Sequence, residues 1–271
     1  MHIGLPIYTY QEITELLHAY IPDISYYSKS FVERRFQYVC AKLYIPSIHA
    51  FQEKIQEDIT FLDIFMHHFT VPVTEMFRDV SVWKTLYSKV LPQYRNSSNF
   101  SIWLPNCSSG EELYSLSIML QKLSMQNNTT VYASHRSIAG IEAIKKGIYS
   151  ERNEQLNANN FSKLQLGTNL DNYYTKSFNS LYMNASLLKN VTFMYSTSIL
   201  QQIPAHVDVV LFRNSLLYFT VHMHEIILAN VTKHIKQQGL LILGLQDNNS
   251  ITVLHDSYKI ENKEERIYRK K

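Results

Sequence analysis

The chain has 271 residues, enough for one large domain or two smaller ones, and its 45% hydrophobic content can supply a buried core. A formal net charge of +3 is too small to indicate a nucleic-acid partner, and no apolar run approaches the roughly 18 residues of a membrane-spanning helix. We therefore expect a globular protein with no nucleic-acid partner and no membrane insertion.

Cysteine usage and the N-terminus indicate the compartment. Cys40 and Cys107 lie far apart and outside any Cys-x-x-Cys or Cys/His spacing, which is typical of reduced thiols rather than of a disulfide framework. Residues 1–10 lack the basic start and apolar segment of a secretory signal. We expect a cytoplasmic protein.

Residues 10–69 follow a helical pattern, which predicts an all-helical N-terminal domain. Apolar side chains recur there at spacings of four, three and four, at Val32, Phe36, Val39 and Leu43. Three basic side chains fall off this stripe, namely Arg34, Arg35 and Lys42. We predict that they bind an acidic partner; a solubilising surface is the alternative.

From residue 100 onwards, strand and helix patterns alternate. Strands are predicted at residues 100–104, 130–133, 191–195, 207–212 and 240–244. Helices are predicted from residue 112 to 120, over 137–146 with Ile138, Ile141 and Ile144 inward, and over 221–236. The alternation predicts a Rossmann-like, doubly wound α/β sheet in residues 86–271, after a helical domain and linker in residues 1–85. Residues 173–178 and 180–187 predict a small antiparallel β insertion within about 165–190.

The loop after the first predicted strand reads Asn-Cys-Ser-Ser-Gly-Glu-Glu over residues 106–112. A loop at the carboxyl end of such a strand, before a helix, is where nucleotide-like ligands bind. It lacks the GxGxxG pattern, and Glu111 and Glu112 would repel a pyrophosphate. A cationic ligand such as S-adenosylmethionine fits better, because a glutamate can pair with its ammonium while the backbone approaches at Gly110. The alternative is that both glutamates only complement the helix dipole.

Four segments resemble motifs of the CheR family of chemotaxis receptor methyltransferases. Residues 103–116, Trp-Leu-Pro-Asn-Cys-Ser-Ser-Gly-Glu-Glu-Leu-Tyr-Ser-Leu, resemble its cofactor motif, IWSAGCSSGEEPYSLA. In chain order, residues 74–79 resemble TxFFRE, residues 147–150 resemble GxY, and residues 212–219 resemble CRNVLIYF. The resemblance covers most of the chain.

The resemblance assigns a role to each matching position. It implies that the following residues bind S-adenosylmethionine, or its product S-adenosylhomocysteine: Thr74, Arg78, Asn106, Gly110, Glu111, His135, Asn214, Ser215 and Leu216. It also implies catalytic roles, with Arg78 orienting the acceptor carboxylate and Tyr218 lying by the transferred methyl group. The plainer alternatives are a surface ion pair for Arg78, a core aromatic for Tyr218 and a loop cap for Asn214.

The family transfers methyl groups to receptor glutamates, and the ionised carboxylate is itself the nucleophile. The resemblance therefore implies a protein-glutamate O-methyltransferase that needs neither a general base nor a metal. It also implies a partner, the cytoplasmic domain of a chemoreceptor-like protein, which the basic residues of the helical domain would contact. In some family members the β insertion holds a receptor tail.

The sequence departs from the family after the second strand. The family has an acidic residue there that accepts both ribose hydroxyls, whereas this chain has His135. Loss of that acceptor predicts cofactor binding weaker by about 1.5 to 3 kcal/mol. Other departures are Pro72, the pair Pro105-Asn106, and Leu245-Gln246-Asp247 in place of the usual GHSE ending. They leave open a degenerate protein that binds cofactor or receptor without turnover.

Eleven histidines raise the possibility of a metal-dependent hydrolase. They include the pairs His67-His68 and His222-x-His224. No carboxylate or cysteine joins these pairs at a ligand spacing, so we expect solvated or capping histidines and no metal site.

Overall fold

Helices form the first part of the chain. The structure, a computed structural model, describes residues 7–70, 74–200, 203, 206–247 and 251–271. The first helices are α1 (Tyr10–Leu17), α2 (Lys29–Lys42), α3 (Ile48–Glu57) and α4 (Phe61–Phe69). Each buries apolar side chains in one shared cluster, as their amphipathic patterns predict. Leu43 lies just past α2 as its C-cap rather than within its apolar stripe. Pro72 lies outside the described residues.

Strands and helices alternate in the rest of the chain. In order, the elements are α5 (Val80–Thr85), β1 (Phe100–Leu104), α6 (Glu111–Lys122), β2 (Thr129–His135), α7 (Ile138–Lys146), β3 (Ile148–Ser150), α8 (Glu154–Ser162), β4 (Tyr174–Ser177), β5 (Ser180–Met183), β6 (Val191–Tyr195), β7 (Val207–Phe212), α9 (Val221–Lys233), β8 (Ile235–Leu243), α10 (Thr252–Ser257), β9 (Tyr258–Asn262) and β10 (Ile267–Lys270).

A seven-stranded sheet has the order β6-β2-β1-β7-β8-β10-β9. The strands from β6 to β8 are parallel, and β10 is antiparallel to both β8 and β9. The chain leaves β1 towards β2 and β6, then returns to β7 on the other side of β1. This reversal is a topological switch point, where the carboxyl ends of β1 and β7 diverge around a crevice. The predicted Rossmann-like, doubly wound α/β fold is confirmed.

Both faces of the sheet are buried, as parallel strands require. On β7, Val210 and Phe212 join the cluster formed by α1 to α4 and α9. Val209 and Leu211 point to the opposite face, where they pack with α6. The N-terminal helices therefore cover one face of the sheet and share its core.

A smaller antiparallel sheet has the order β3-β5-β4. Its strands β4 and β5 confirm the predicted hairpin, although a short 3-10 helix, Ala185–Leu188, replaces the end of the predicted segment 180–187. The pattern analysis missed β3, because a three-residue strand carries too little periodicity.

Three details of the predicted elements are wrong. The helix predicted to reach residue 236 ends at Lys233, because β8 already begins at Ile235 and pairs with β7. The strand predicted to begin at residue 240 already begins at Ile235, so Gly239 lies inside β8, where a Cβ would come within 2.9 Å of Asp208 O. Ile138, predicted to point inward, is 56% exposed at the first turn of α7.

Candidate active site

The predicted cofactor loop connects β1 to α6 across the carboxyl end of the sheet. Cys107 N–H donates to Ser134 O at 3.0 Å, which ties the loop to β2. Gly110 has a φ of +95°, and a Cβ there would lie 2.8 Å from Tyr149 Oη and 2.9 Å from Ile144 Cγ2. Glycine therefore suits both the backbone conformation and the space available before α6.

Glu111, the first residue of α6, carries a buried carboxylate. It accepts hydrogen bonds from Thr74 Oγ1, at 2.8 Å, and from Ser109 Oγ. Burial raises the pKa of Glu111, and the two hydroxyl groups oppose part of that rise. Within the described part of the chain no cationic side chain pairs with this carboxylate. A buried carboxylate held only by hydroxyls can accept a cationic group such as an ammonium.

Glu112 is neutralised within the chain. Its carboxylate accepts a bond of 2.7 Å from Arg213 Nη1, while Arg213 Nη2 donates to Asp79 Oδ2 at 3.0 Å and to Arg78 O at 2.8 Å. The guanidinium also lies 5.4 Å from the centre of the Trp83 ring. Burial raises the pKa of Glu112, and the charge of Arg213 opposes this rise. This network could not be predicted from the sequence, because its members come from distant segments.

A tight turn follows β7 at residues 213–216. Asn214 has a φ of +52° in this turn. The buried Asp247 carboxylate accepts bonds from the backbone N–H groups of Asn214 at 2.7 Å, Leu216 at 3.1 Å and Gly244 at 2.8 Å. Burial raises the pKa of Asp247 to about 6, although these bonds oppose the rise. In the sequence, Asp247 stands out only as part of a departure from a family motif.

The ends of β1 and β7 enclose a central cavity with the segment before α5. It holds about 520 Å³ of free space, part of which is open solvent. Six predicted site residues line it: Thr74, Arg78, Asn106, Asn214, Ser215 and Tyr218. The structure therefore brings most of the predicted site together at the switch point.

The other predicted cofactor residues lie around this cavity rather than on its wall. Glu111 lines a neighbouring cavity together with Ser109 and Gly140. Leu216 is the fully buried last residue of the turn after β7. Gly110 allows the conformation of the loop between β1 and α6.

His135 ends β2 and is buried. Its Nδ1 accepts a bond of 3.0 Å from Ser137 N–H, and a Cβ on Gly140 would lie 1.9 Å from its Cε1. Burial lowers the pKa of His135, so the imidazole is neutral at pH 7. The carboxylate near His135 belongs to Asp63 of α4, which accepts a hydrogen bond of 2.7 Å from Ile138 N–H. The ring of His135 is thus packed against the start of α7.

Arg136 lies beside His135 and joins the sheet to the N-terminal helices. Its Nη1 donates to Tyr27 Oη at 2.6 Å, and its Nη2 donates to Asp23 Oδ1 at 2.7 Å. Arg136 lines a second cavity, which shares Asn106 and Tyr218 with the central cavity. No motif pointed to this buried ion pair.

Arginine side chains lie close enough to Tyr218, in the wall of the central cavity, to interact with it electrostatically. Burial raises the pKa of Tyr218, while the charges of Arg78, Arg34 and Arg35 oppose this rise. The Phe31 ring of α2 lies 5.0 Å from the Tyr218 ring, between centroids. The basic side of α2 therefore approaches the predicted catalytic residues.

Two of the three predicted partner-binding cations are exposed. Arg35 donates to the last carbonyls of α4, at 2.9 Å to Phe69 O and 3.1 Å to Thr70 O, and is engaged within the chain. Arg34 and Lys42 are exposed on α2.

One residue of the central cavity wall has an unpaired side-chain donor. Asn214 Nδ2 is buried and bonded to no described residue. Such a donor fits the carboxylate, ribose and adenine acceptors of S-adenosylmethionine, and the Glu111 carboxylate fits its ammonium. The residues present therefore suit this cofactor.

The described residues contain no group of three His, Cys, Asp or Glu side chains that could hold a metal ion. The rings of His67 and His68 lie with their centroids 4.7 Å apart and their planes tilted by 48°. Over the same part of the chain, the helices are all too short or too polar to cross a bilayer.

A doubly wound sheet with a ligand cavity at its switch point defines a Rossmann-like protein with a nucleotide-type site. The buried Glu111 carboxylate, in the loop after β1, indicates more specifically a site for a cationic nucleotide-like ligand. The profile of the CheR methyltransferase SAM-binding domain matches residues 72–266, more than half of the chain, which therefore belongs to the CheR methyltransferase family. Its cofactor is S-adenosylmethionine.

Individual relatives agree at low identity. The "Putative methyltransferase Cher3" of Pseudomonas putida is 27% identical over 251 residues, covering 93% of this chain and 92% of that protein. A chemotaxis protein methyltransferase of Listeria monocytogenes is 23% identical over 225 residues, covering 82% of each. Among solved structures, the Synechocystis magnesium protoporphyrin IX methyltransferase with bound SAM is similar at 12% identity, with a TM-score of 0.39 over 77% of this chain and 80% of that one.

Proposed function

We propose that this cytoplasmic protein transfers the methyl group of S-adenosylmethionine to glutamate side chains of a chemoreceptor-like protein. The observation that carries the proposal is that Arg78 and Tyr218 line the cavity together, with Arg34 close enough to interact electrostatically with that tyrosine. Because an acceptor glutamate is anionic at neutral pH, these charges favour its approach.

In this proposal, different residues contact different parts of the cofactor. Glu111, held by Thr74, would pair with the ammonium group, and Gly110 lets the loop backbone approach. Asn106, Asn214 and Ser215 would bond the polar atoms of the ligand from the cavity wall. When bound, S-adenosylmethionine supplies an activated methyl group.

Beyond cofactor binding, the reaction requires the acceptor carboxylate to be aligned with the methyl group. Arg78 lines the cavity, and no other described residue bonds its guanidinium, so it is available for an acceptor carboxylate. An ionised carboxylate is already a nucleophile, which removes the need for a general base. Tyr218 lines the same cavity, and fixing the reacting groups can contribute roughly 7–11 kcal/mol to lowering the barrier.

The exposed cations Arg34 and Lys42 would contact the receptor protein. The two lie eight residues apart on α2, which corresponds to about 12 Å along a helix. A helical, acidic receptor segment could therefore contact both cations while one of its glutamates reaches Arg78.

The ribose side of the site favours a second candidate function. A neutral, packed His135 stands where the family has its ribose carboxylate, and Arg136 beside it is ion-paired with Asp23. In this alternative, the chain binds S-adenosylmethionine, S-adenosylhomocysteine or a receptor without turnover.

Methyl transfer to a receptor cytoplasmic domain separates the two candidates. With methyl-labelled S-adenosylmethionine, we expect label that base treatment releases as volatile methanol, which is characteristic of carboxyl esters. Arg78→Ala should lower the rate by about a hundredfold, because the acceptor loses its orienting cation. Arg95→Ala, which changes an exposed arginine at the opposite end of β1, is the matched control. Cofactor binding without labelled receptor would contradict the proposal and favour the alternative.

A further inference from the structure

Asp247 is a buried carboxylate whose position has no assigned function. It lies beyond the end of β8 and is 3% exposed. We infer that Asp247 is a positioning residue for the cofactor, because it fixes the turn that presents Asn214 and Ser215 to the central cavity. The inference rests on cofactor binding at this cavity, as proposed above.

The hydrogen bonds of Asp247 connect the turn to the sheet. One oxygen accepts from both Asn214 N–H and Gly244 N–H, and the other accepts from Leu216 N–H. Two donors belong to the turn after β7, and the third follows the adjacent strand β8. The carboxylate therefore holds the turn against the end of β8 through Asn214 and Leu216, the two neighbours of Ser215.

The conformation of the turn explains why it needs this restraint. Asn214 has a φ of +52°, a left-handed conformation that costs a non-glycine residue free energy unless the surroundings hold it. Gly244 allows the close approach, because a Cβ there would lie 2.3 Å from Asn214 N. Without the Asp247 carboxylate, two backbone donors of this buried turn and the N–H of Gly244 would lose their acceptor.

The charged groups around Asp247 do not form a direct side-chain ion pair with it. Arg213 and Tyr218 lie close enough to interact electrostatically with Asp247, and Arg266 Nη1 donates to its backbone carbonyl. His224 Nε2 lies 2.9 Å from Leu216 O on the other side of the turn. Burial dominates in this setting and raises the pKa of Asp247 to about 6.

This environment gives the positioning role a pH signature. As the pH falls through about 6, the carboxylate takes up a proton and becomes a weaker acceptor for the three amides, so cofactor affinity should fall. Protonation of Asp247 has the opposite effect on the stability of the fold. Because the folded pKa is raised, the contribution of Asp247 to stability is present at low pH and is lost as the pH rises through about 6.

Calorimetric titration with S-adenosylhomocysteine between pH 5 and 8 tests the role, with thermal unfolding measured in parallel. Asp247→Asn should weaken binding by about tenfold to a hundredfold at neutral pH and remove the loss of affinity below pH 6. Asp247→Glu should recover part of the affinity. Asp208→Asn is the matched control: Asp208 also accepts a backbone bond, from Ser101 N–H, but at the opposite end of β7, so affinity should not change.

If Asp247→Asn binds S-adenosylhomocysteine as tightly as the wild type, or still loses affinity below pH 6, the positioning role is overturned. The proposed methyltransferase function is not affected by that result. A wild-type chain that binds no S-adenosylhomocysteine would overturn the cofactor site itself. If Asp247→Asn does not fold, a wild-type affinity that stays constant across pH 6 overturns the role.

Discussion

At the scale of single residues, Gly110 decides whether the cofactor loop can turn into α6. A side chain there meets both a positive φ and two neighbours closer than 3.0 Å, Tyr149 Oη and Ile144 Cγ2. We predict that Gly110→Ala lowers the free energy of unfolding by about 2–3 kcal/mol and weakens S-adenosylhomocysteine binding by more than about tenfold.

Gly167→Ala provides the matched control, measured by urea unfolding and calorimetry. Gly167 also has a positive φ, of +71°, but a Cβ there would meet nothing within 4 Å. It should lose only about 1 kcal/mol and keep its cofactor affinity. Equal effects of the two substitutions would contradict the steric argument for Gly110.

Some site residues could be predicted from the sequence and others could not, for a physical reason. Gly110 and Asn214 lie in contiguous motifs beside predicted strands, so local patterns found them. Arg213 and Asp247 act through partners 101 and 33 residues away, and only the folded chain shows those contacts. The motif around residue 135 predicts the ribose position along the chain but could not show that His135 packs against Gly140.

At the scale of elements, Arg213 joins β7 to α6 and to the segment before α5. Its side chain is 3% exposed and neutralises Glu112, which is 17% exposed. Arg213→Ala would leave the Glu112 carboxylate buried without its partner. We predict a loss of about 3–5 kcal/mol in the free energy of unfolding at pH 7, measured by urea denaturation.

The double substitution Arg213→Met with Glu112→Gln tests the cause. Because it removes both charges together, it should be more stable than Arg213→Ala alone. A double variant that is no more stable would show that the loss does not come from the unpaired Glu112 charge.

The limits of pattern analysis are clearest at the ends of elements. Residues 234–236 continue the apolar spacing of α9, yet Val207 N–H bonds to His234 O at 2.8 Å and the chain turns into β8. Pairing with β7 therefore overrides the helical pattern. The C-terminal hairpin of β9 and β10 was missed because its charged side chains conceal the alternation typical of strands.

At the scale of the whole molecule, the N-terminal helices and the sheet form one structure. The helices α1 to α4 share a hydrophobic cluster with one face of the sheet, and the buried Asp23–Arg136 pair joins them at the carboxyl end. We predict that Asp23→Asn lowers the free energy of unfolding by about 3 kcal/mol, because Arg136 stays buried without its carboxylate.

Scanning calorimetry checks this coupling. The wild-type chain should unfold in one transition, with equal calorimetric and van't Hoff enthalpies, and Asp23→Asn should lower its midpoint. Asp171→Asn, at an exposed aspartate away from this interface, is the control. Two separate transitions in the wild type would contradict a shared core.

Calorimetric titration of the wild-type chain with S-adenosylhomocysteine at neutral pH tests most directly whether the cavity between β1 and β7 is the cofactor site. We predict saturable binding that Asn214→Ala weakens by about tenfold, because this variant removes a buried donor on the cavity wall. No heat at millimolar ligand, or equal affinity in the two proteins, would contradict the placement of the cofactor in this cavity.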